Sequence, residues 1–293
     1  GWLKERVEEM RRVLKPAGSI FLHCDWHANA YIRADILDKI FGMNNFRNEI
    51  IWKRATSGSS KSVANRLGTD HDMIYFYSKS EDYNFIPVWT EYPAKEVDKR
   101  FKKSDEHGKY KDAELATYSQ DTLEKLKREN RLIVNSSGKY RYKIYLDEIK
   151  GVLADDIWND IPPVNSQAKE RVGYPTQKPE ALLERIIKMA SNEGDTVLDP
   201  FMGGGTAIAV ADKLNRRWLG IDQSAMAVKV TELRLQKQQD LFSAPYAVQL
   251  HKYDYDTLRY KDAFAFEAWI VRQFGGTPNA KQRGDMGLDG KAA

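Results

Sequence analysis

Between Asp199 and Asp222 the chain sets two carboxylates around a proline, an aromatic and three consecutive glycines. The order is Asp199-Pro200-Phe201-Met202-Gly203-Gly204-Gly205-Thr206, an alanine-rich run, then Arg216-Arg217-Trp218-Leu219-Gly220-Ile221-Asp222. Glycines at a turn let a ligand approach the backbone with no Cβ in the way, and the free N–H groups of a helix start favour an anionic group. A carboxylate at the end of the following strand is placed to accept hydrogen bonds from ribose hydroxyls. The pattern points to a nucleoside with a negative end group. A dinucleotide fingerprint is met only in its first half, by Gly203 and Gly205, because position 208 is Ile; a Gly-Lys-Ser/Thr phosphate loop occurs nowhere. A glycine-rich turn in an ordinary α/β protein is the alternative that needs no ligand.

Several elements must position these groups. Thr196, Val197 and Leu198 form a short apolar run of buried-strand type, the segment from Thr206 reads as a helix, and RRWLGID reads as a second strand ending at Asp222. Upstream, Pro175 and Pro179 fix an extended lead-in to a helix whose apolar stripe is Leu182, Leu183, Ile186, Ile187 and Met189. Thr176, Gln177 and Lys178 are the polar tip of that lead-in, available to a ligand. Residues 2–52 read as a helix up to Lys15, a Pro-Ala-Gly break, the strand Ser19 to Asp25, a helix through Ile40 and a short strand from Glu49 to Trp52; residues 71–79 read as another strand.

The eight residues from Asp199 to Thr206 resemble the D-P-F-x-G-x-G-T motif that binds S-adenosylmethionine in DNA amino-methyltransferases of the β arrangement, which act on adenine N6 or cytosine N4. Gly173-Tyr174-Pro175-Thr176-Gln177-Lys178-Pro179-Glu180 resembles the P-T-Q-K-P segment that closes over the cofactor's methionine end in the same family. The resemblance implies an α/β, Rossmann-like methyltransferase sheet with helices on both faces, permuted strand order and an inserted target-recognition region. It implies residues 1–89 as the half beside the target base, 90–150 as the target-recognition region and 151–260 as the cofactor half. S-adenosylmethionine would be held by Asp199, Phe201, Gly203, Gly205, Thr206 and Asp222, helped by Thr176, Gln177 and Lys178. The substrate would be a base flipped out of double-stranded DNA, adenine N6 ahead of cytosine N4, in a restriction-modification system, with a second copy or a restriction subunit as a possible associate. Two other readings stay open: a DNA- and cofactor-binding fragment without catalysis, and another nucleotide-dependent α/β enzyme.

The family's chemistry also uses an Asp/Asn/Ser-Pro-Pro-aromatic tetrapeptide, whose polar side chain holds the exocyclic amine while the aromatic stacks on the flipped base. It is absent here: the only Pro-Pro pair lies in Asn159-Asp160-Ile161-Pro162-Pro163-Val164 and reads as a loop. The expectation is that the tetrapeptide precedes Gly1 in a longer parent protein, that this chain alone binds cofactor weakly and does not methylate DNA, and that its catalytic residues are unknown.

Outside these motifs, residues 52–69 carry Lys53, Arg54, Lys61 and Arg66 and no acid, in a Ser/Gly-rich loop suited to DNA phosphates. A solvated surface loop is the plainer reading. Residues 90–150 mix charges with seven spaced tyrosines and phenylalanines and show neither helix nor strand periodicity. His23, Cys24, Asp25 and His27 are close in sequence, but strand alternation parts them and a closed site draws ligands from two elements, so no metal is expected. Asp25 is expected near the active cleft and His71 beside the target base, with a structural histidine as an equal alternative. Near the end, Gly284-Asp285-Met286-Gly287-Leu288-Asp289-Gly290 resembles the opening of Mrr-like restriction endonuclease domains, which makes 261–293 the start of such a domain or a polar tail.

At 293 residues and 42% hydrophobic content the chain can bury a full core, and no apolar run has membrane-spanning length. No membrane partner is expected. Cys24 is the only cysteine, so no internal disulfide can form, and with no export signal a cytoplasmic location is expected. A net charge of +4 is modest, so the distribution of basic residues matters more than their sum.

Overall fold

The structure, a computed structural model, describes residues 1–54, 67–239 and 245–249, with the backbone of 277–278 and 290–291. The chain divides into two compact units, Gly1–Ile86 with Asp156–Ala293, and Pro87–Asp155. Helix α1 spans Trp2–Val13, with Leu14 already extended. It stops two residues earlier than the sequence pattern because Lys15 precedes a proline, which disfavours helical backbone. Strand β1 covers Ser19–Cys24. Then α2, Asn29–Tyr31, a π-helical turn, Ile32–Leu37, and α3, Asp38–Phe41, form one helical run. β2, Phe46–Lys53, and β3, His71–Ser78, follow. β3 lies between β1 and β2, antiparallel to both. Tyr75 and Tyr77 of β3 pack with Val7, Ile32, Leu37 and Phe41, so α1 and the helical run cover this face of the sheet.

The second unit is antiparallel. β4, Trp89–Thr90, pairs with β9, Val152–Leu153. Between them run α4, Ala94–Arg100, β5, Lys103–Asp105, β6, Gly108–Glu114, α5, Gln120–Arg128, β7, Leu132–Val134, and β8, Tyr140–Tyr145. The sheet order is β5-β6-β8-β7. Sequence periodicity misses this sheet because cross-strand ion pairs and hydroxyls, more than apolar alternation, knit it together. Lys143 and Tyr145 both reach Asp105, at 2.7 and 2.9 Å, and Arg141 reaches Glu114 at 3.4 Å.

Back in the first unit, β10, Ile157–Trp158, adds to β2 in parallel. Then come α6, Glu180–Ala190, β11, Thr196–Asp199, α7, Thr206–Lys213, β12, Arg217–Gly220, and α8, Ala225–Gln238. β11 and β12 are parallel, with Thr196 opposite Arg217 and Asp199 opposite Gly220. Thr206 to Ala211 of α7 are all buried, with Ile187 of α6 and Leu235 of α8 in the two clusters that enclose the helix. The fold class is α/β, with the glycine motif late in the chain. Among the described residues the β11–β12 ladder and the β1-β3-β2-β10 sheet share no hydrogen-bonded strand. No helix among the described residues is long and apolar enough to cross a membrane.

Candidate functional site

The glycine turn joins β11 to α7 and is closed on itself. Ile221 N–H donates to Asp199 O at 2.9 Å, and Met202 N–H returns to Ile221 O at 3.1 Å. β12 therefore ends at Gly220, not at Asp222, because the chain bends to meet the turn. Asp222 is the brace: Oδ2 accepts Gly203 N–H at 2.9 Å and Oδ1 accepts Ser224 N–H at 2.8 Å. Gly205 N–H donates to Met202 O at 2.7 Å. The amides of Gly203 and Gly205 are thus committed to the turn itself, as backbone donors in a tight loop must be.

Glycine is needed here for two reasons. Gly203 and Gly205 have φ of +49° and +68°, the left-handed region that side chains disfavour. A Cβ on Gly205 would lie 2.4 Å from Thr231 Oγ1, and one on Gly204 would lie 3.0 Å from Tyr174 Cβ. Tyr174 belongs to the upstream polar segment, so that segment packs directly on the turn. Arg234 of α8 ties the two together: Nη1 donates to Gly204 O at 3.2 Å and Thr206 Oγ1 at 3.1 Å, and Nη2 to Glu180 Oε1 at 2.7 Å.

The expected cofactor residues accordingly fall into two groups. Thr206 is buried, its hydroxyl held by Arg234. Gln177 is spent on its own loop, accepting Val172 N–H at 2.9 Å and donating to Glu170 O at 2.7 Å. Exposed Thr176 has φ of +60° and gives its carbonyl to Lys178 Nζ at 2.8 Å. Phe201, by contrast, keeps 47% of its surface, with its ring 5.5 Å from that of Trp2, and Leu219 and Ile221 are also exposed. Each carboxylate oxygen of Asp222 accepts one backbone bond and retains further lone-pair capacity.

The electrostatics draw the two sheets' residues into one region. Burial, the larger effect, and the repulsion of Asp222 push the Asp199 carboxyl above its ordinary value, against the Phe201 N–H bond and the Lys178 charge. Burial holds Lys178 below the ordinary lysine value, although Asp72 and Asp199 pull it up. Burial and then the Lys178 charge lower His23, opposed by Asp72. Asp72, which is buried, is shared by His23 Nε2 at 3.1 Å and Arg54 Nε at 2.9 Å. His23, Asp72 and Arg54 thus share the electrostatic neighbourhood of Lys178 and Asp199. Asp72, Trp2, Thr231 and Arg234 lie outside the sequence motifs, and their one local signal is an acid, Asp72, in a largely apolar strand.

The remaining expected residues are dispersed. Lys53 closes β2 opposite His71, and Lys61 and Arg66 lie outside the described residues. Asp25 is exposed and holds His27, with Oδ2 to Nδ1 at 2.8 Å, while Trp26 stacks on the His27 ring at 3.8 Å. Cys24 is buried, its thiol pushed up to about 12 chiefly by burial. Among the described residues no three metal-ligating side chains cluster. Ile161, beside the Pro-Pro pair, is buried and its carbonyl takes the Trp52 indole N–H at 2.8 Å. The Mrr-like motif lies outside the described residues except for Gly290.

The set has exposed apolar surface for a flat ring, two carboxylates at the turn and one ammonium beside them. That chemistry suits a nucleoside bearing a cationic centre and an anionic end.

Comparison with known proteins agrees. A family model described as DNA methylase matches residues 1–233. The chain is 28% identical over 262 residues to type II methyltransferase M.EcaI of Enterobacter cloacae, covering 80% of this chain and 56% of the relative. It is 30% identical over 221 residues to M.BamHI of Bacillus amyloliquefaciens, covering 75% and 42%. DNA adenine methyltransferase YhdJ of Escherichia coli (strain K12) is 29% identical over 235 residues, covering 80% and 66%. The chain spans about half the length of the first two of these relatives.

Proposed function

This chain belongs to the DNA methylase family, and we propose that it carries the S-adenosylmethionine grip of an enzyme that methylates an exocyclic amine of a base in duplex DNA. The observation that carries the reading is the closed glycine turn, with the Asp222 carboxylate bound to Gly203 N–H and the Phe201 ring left half exposed. When bound, the cofactor supplies an electrophilic methyl group on a sulfonium.

Phe201, Leu219 and Ile221 offer apolar surface to the adenine ring, and Asp222 offers its spare lone pairs to the ribose hydroxyls. Asp199 sets negative charge where a sulfonium would be favoured. Lys178 would pair with the methionine carboxylate, while Gln177 shapes the lead-in loop and Thr206, Gly203 and Gly205 shape the turn. Thr176 supports Lys178 through its carbonyl. On this reading Lys53 contacts DNA phosphate, joined by Lys61 and Arg66, whereas Arg54 is committed to Asp72. The inserted unit, residues 87–155, serves target recognition.

Adenine N6 is the preferred target, supported by the likeness to an adenine methyltransferase, and a restriction-modification setting by the likeness to type II methyltransferases. A thermal-shift comparison tests the reading. S-adenosylhomocysteine should raise the melting temperature while NAD and ATP at equal concentration leave it unchanged; equal shifts from all three would favour another nucleotide enzyme.

A further inference from the structure

The inserted unit carries a hollow of about 440 Å³ whose lining is mostly cationic: Arg100, Lys102, Lys103, Lys111 and Arg141, with Tyr110 and Asp112. The cations differ in how they are held. Arg100 Nε pairs with Glu96 at 2.9 Å, Arg141 Nη1 with Glu114 at 3.4 Å, and Lys103 with Asp112. Arg141 is fixed further by donating to Asp112 O at 3.1 Å. Three carboxylates therefore anchor three of the five cations. Lys102 and Lys111 have no acid partner among the described residues, and the Lys111 ammonium sits 5.4 Å from the centre of the Phe101 ring. A surplus of two positive charges remains on a scaffold of anchored ones.

The charge is also segregated within the unit. Its second hollow is lined by Glu129, Asp147 and Glu148 with Arg131, His107 and Tyr145. A lining of several cations and a single aromatic ring suits bound negative charge better than a stacked base. Anchored cations with two lysines that have no acid partner among the described residues suit a repeating anion, because each phosphate neutralised releases a condensed counterion.

We propose that the Lys102–Lys111 hollow binds the phosphate backbone of duplex DNA, giving the inserted unit a sequence-independent grip. The inference rests on DNA being the substrate. Phosphate contacts of this kind set register and carry no base information.

The test uses the whole chain, short duplexes of unrelated sequence and fluorescence anisotropy across a salt series. Lys102→Gln with Lys111→Gln should weaken every duplex alike and reduce the slope of log affinity against log salt by about 2, roughly one per lost contact. Lys102→Arg with Lys111→Arg should keep the wild-type slope, and both variants should bind S-adenosylhomocysteine as wild type does. If the glutamine variant keeps wild-type affinity and slope while wild type binds duplex, the hollow is overturned and the DNA reading stands. If wild type binds no duplex at any salt, both fall. Loss of duplex binding to inorganic phosphate at matched ionic strength, or tighter binding of duplex RNA with the same two-lysine dependence, also overturns the assignment to DNA.

Discussion

Arg234 of α8 and Glu180 at the start of α6 form an ion pair of 2.7 Å, and the same guanidinium holds the carbonyl of Gly204. The pair couples the lead-in segment to the glycine turn. Arg234 keeps 6% of its side-chain surface and Glu180 26%. Arg234→Met leaves Glu180 with Lys213 alone and Gly204 O without this donor, so it should cost about 3 kcal/mol, the lower end for breaking a buried pair. Urea unfolding measures the loss, and S-adenosylhomocysteine affinity should fall with it.

Gly205→Ala and Gly204→Ala separate backbone strain from crowding. Alanine at Gly205 meets a left-handed φ and Thr231 Oγ1 at 2.4 Å. The strain costs about 1–3 kcal/mol and the displaced neighbour about as much again. Alanine at Gly204 needs no left-handed backbone and meets only side-chain carbons of Tyr174 and Val172, at 3.0 and 3.3 Å. Its cost should be about 1 kcal/mol, so melting temperatures should rank wild type, then Gly204→Ala, then Gly205→Ala.

Acid stability should fall in two stages. His23 is lowered by burial first and by Lys178 second, so the unfolded chain takes up its proton before the folded one. Stability is therefore full above pH 6.5 and declines as the pH drops from there towards the folded value. For Glu180 burial alone would raise the carboxyl, but hydrogen bonds and charges from Lys213 and Arg234 hold it below its ordinary value. Its contribution is present above the ordinary carboxyl range and is lost as pH falls through the depressed value. His23→Asn should remove the upper stage and leave the lower one, which denaturant titrations at several pH values can read.

Asp222→Asn keeps an acceptor for the Gly203 amide and removes the charge. Hydrogen bonds to an ionised acceptor contribute about 1.5–3 kcal/mol, so affinity for S-adenosylhomocysteine should drop about 10- to 100-fold. Calorimetric titration checks this, with unfolding as the control for the turn.

Lys53 and Arg54 are neighbours with different expected effects. Lys53→Gln should lower the salt dependence of duplex binding by about 1. Arg54→Gln removes a 2.9 Å partner of buried Asp72 and should appear in stability and in the His23 titration.

Much of this site can be read from the sequence. Asp199 through Thr206 form the turn and helix start that the glycines and alanines announce, and the α6 stripe buries Leu182, Ile187 and Met189. What escaped was long-range partnership. Arg234 sits 54 residues from Glu180, and Asp72 lies 49 from His23, so neither pairing leaves a local period. The inserted sheet leaves little local pattern because charge pairs such as Lys143 with Asp105, more than apolar alternation, join its strands, and its two outer strands have three residues each. Trp2 reaches Phe201 only through the tertiary fold.

The central claim is that the turn at Gly203 to Gly205, braced by Asp222, holds S-adenosylmethionine. Titrating the chain with S-adenosylhomocysteine while following backbone amide resonances tests it directly. Saturable shifts at Gly203, Gly204, Gly205 and Ser224, with weaker ones at the Trp2 indole, are predicted. Unmoved resonances at those positions at saturating ligand would contradict the account.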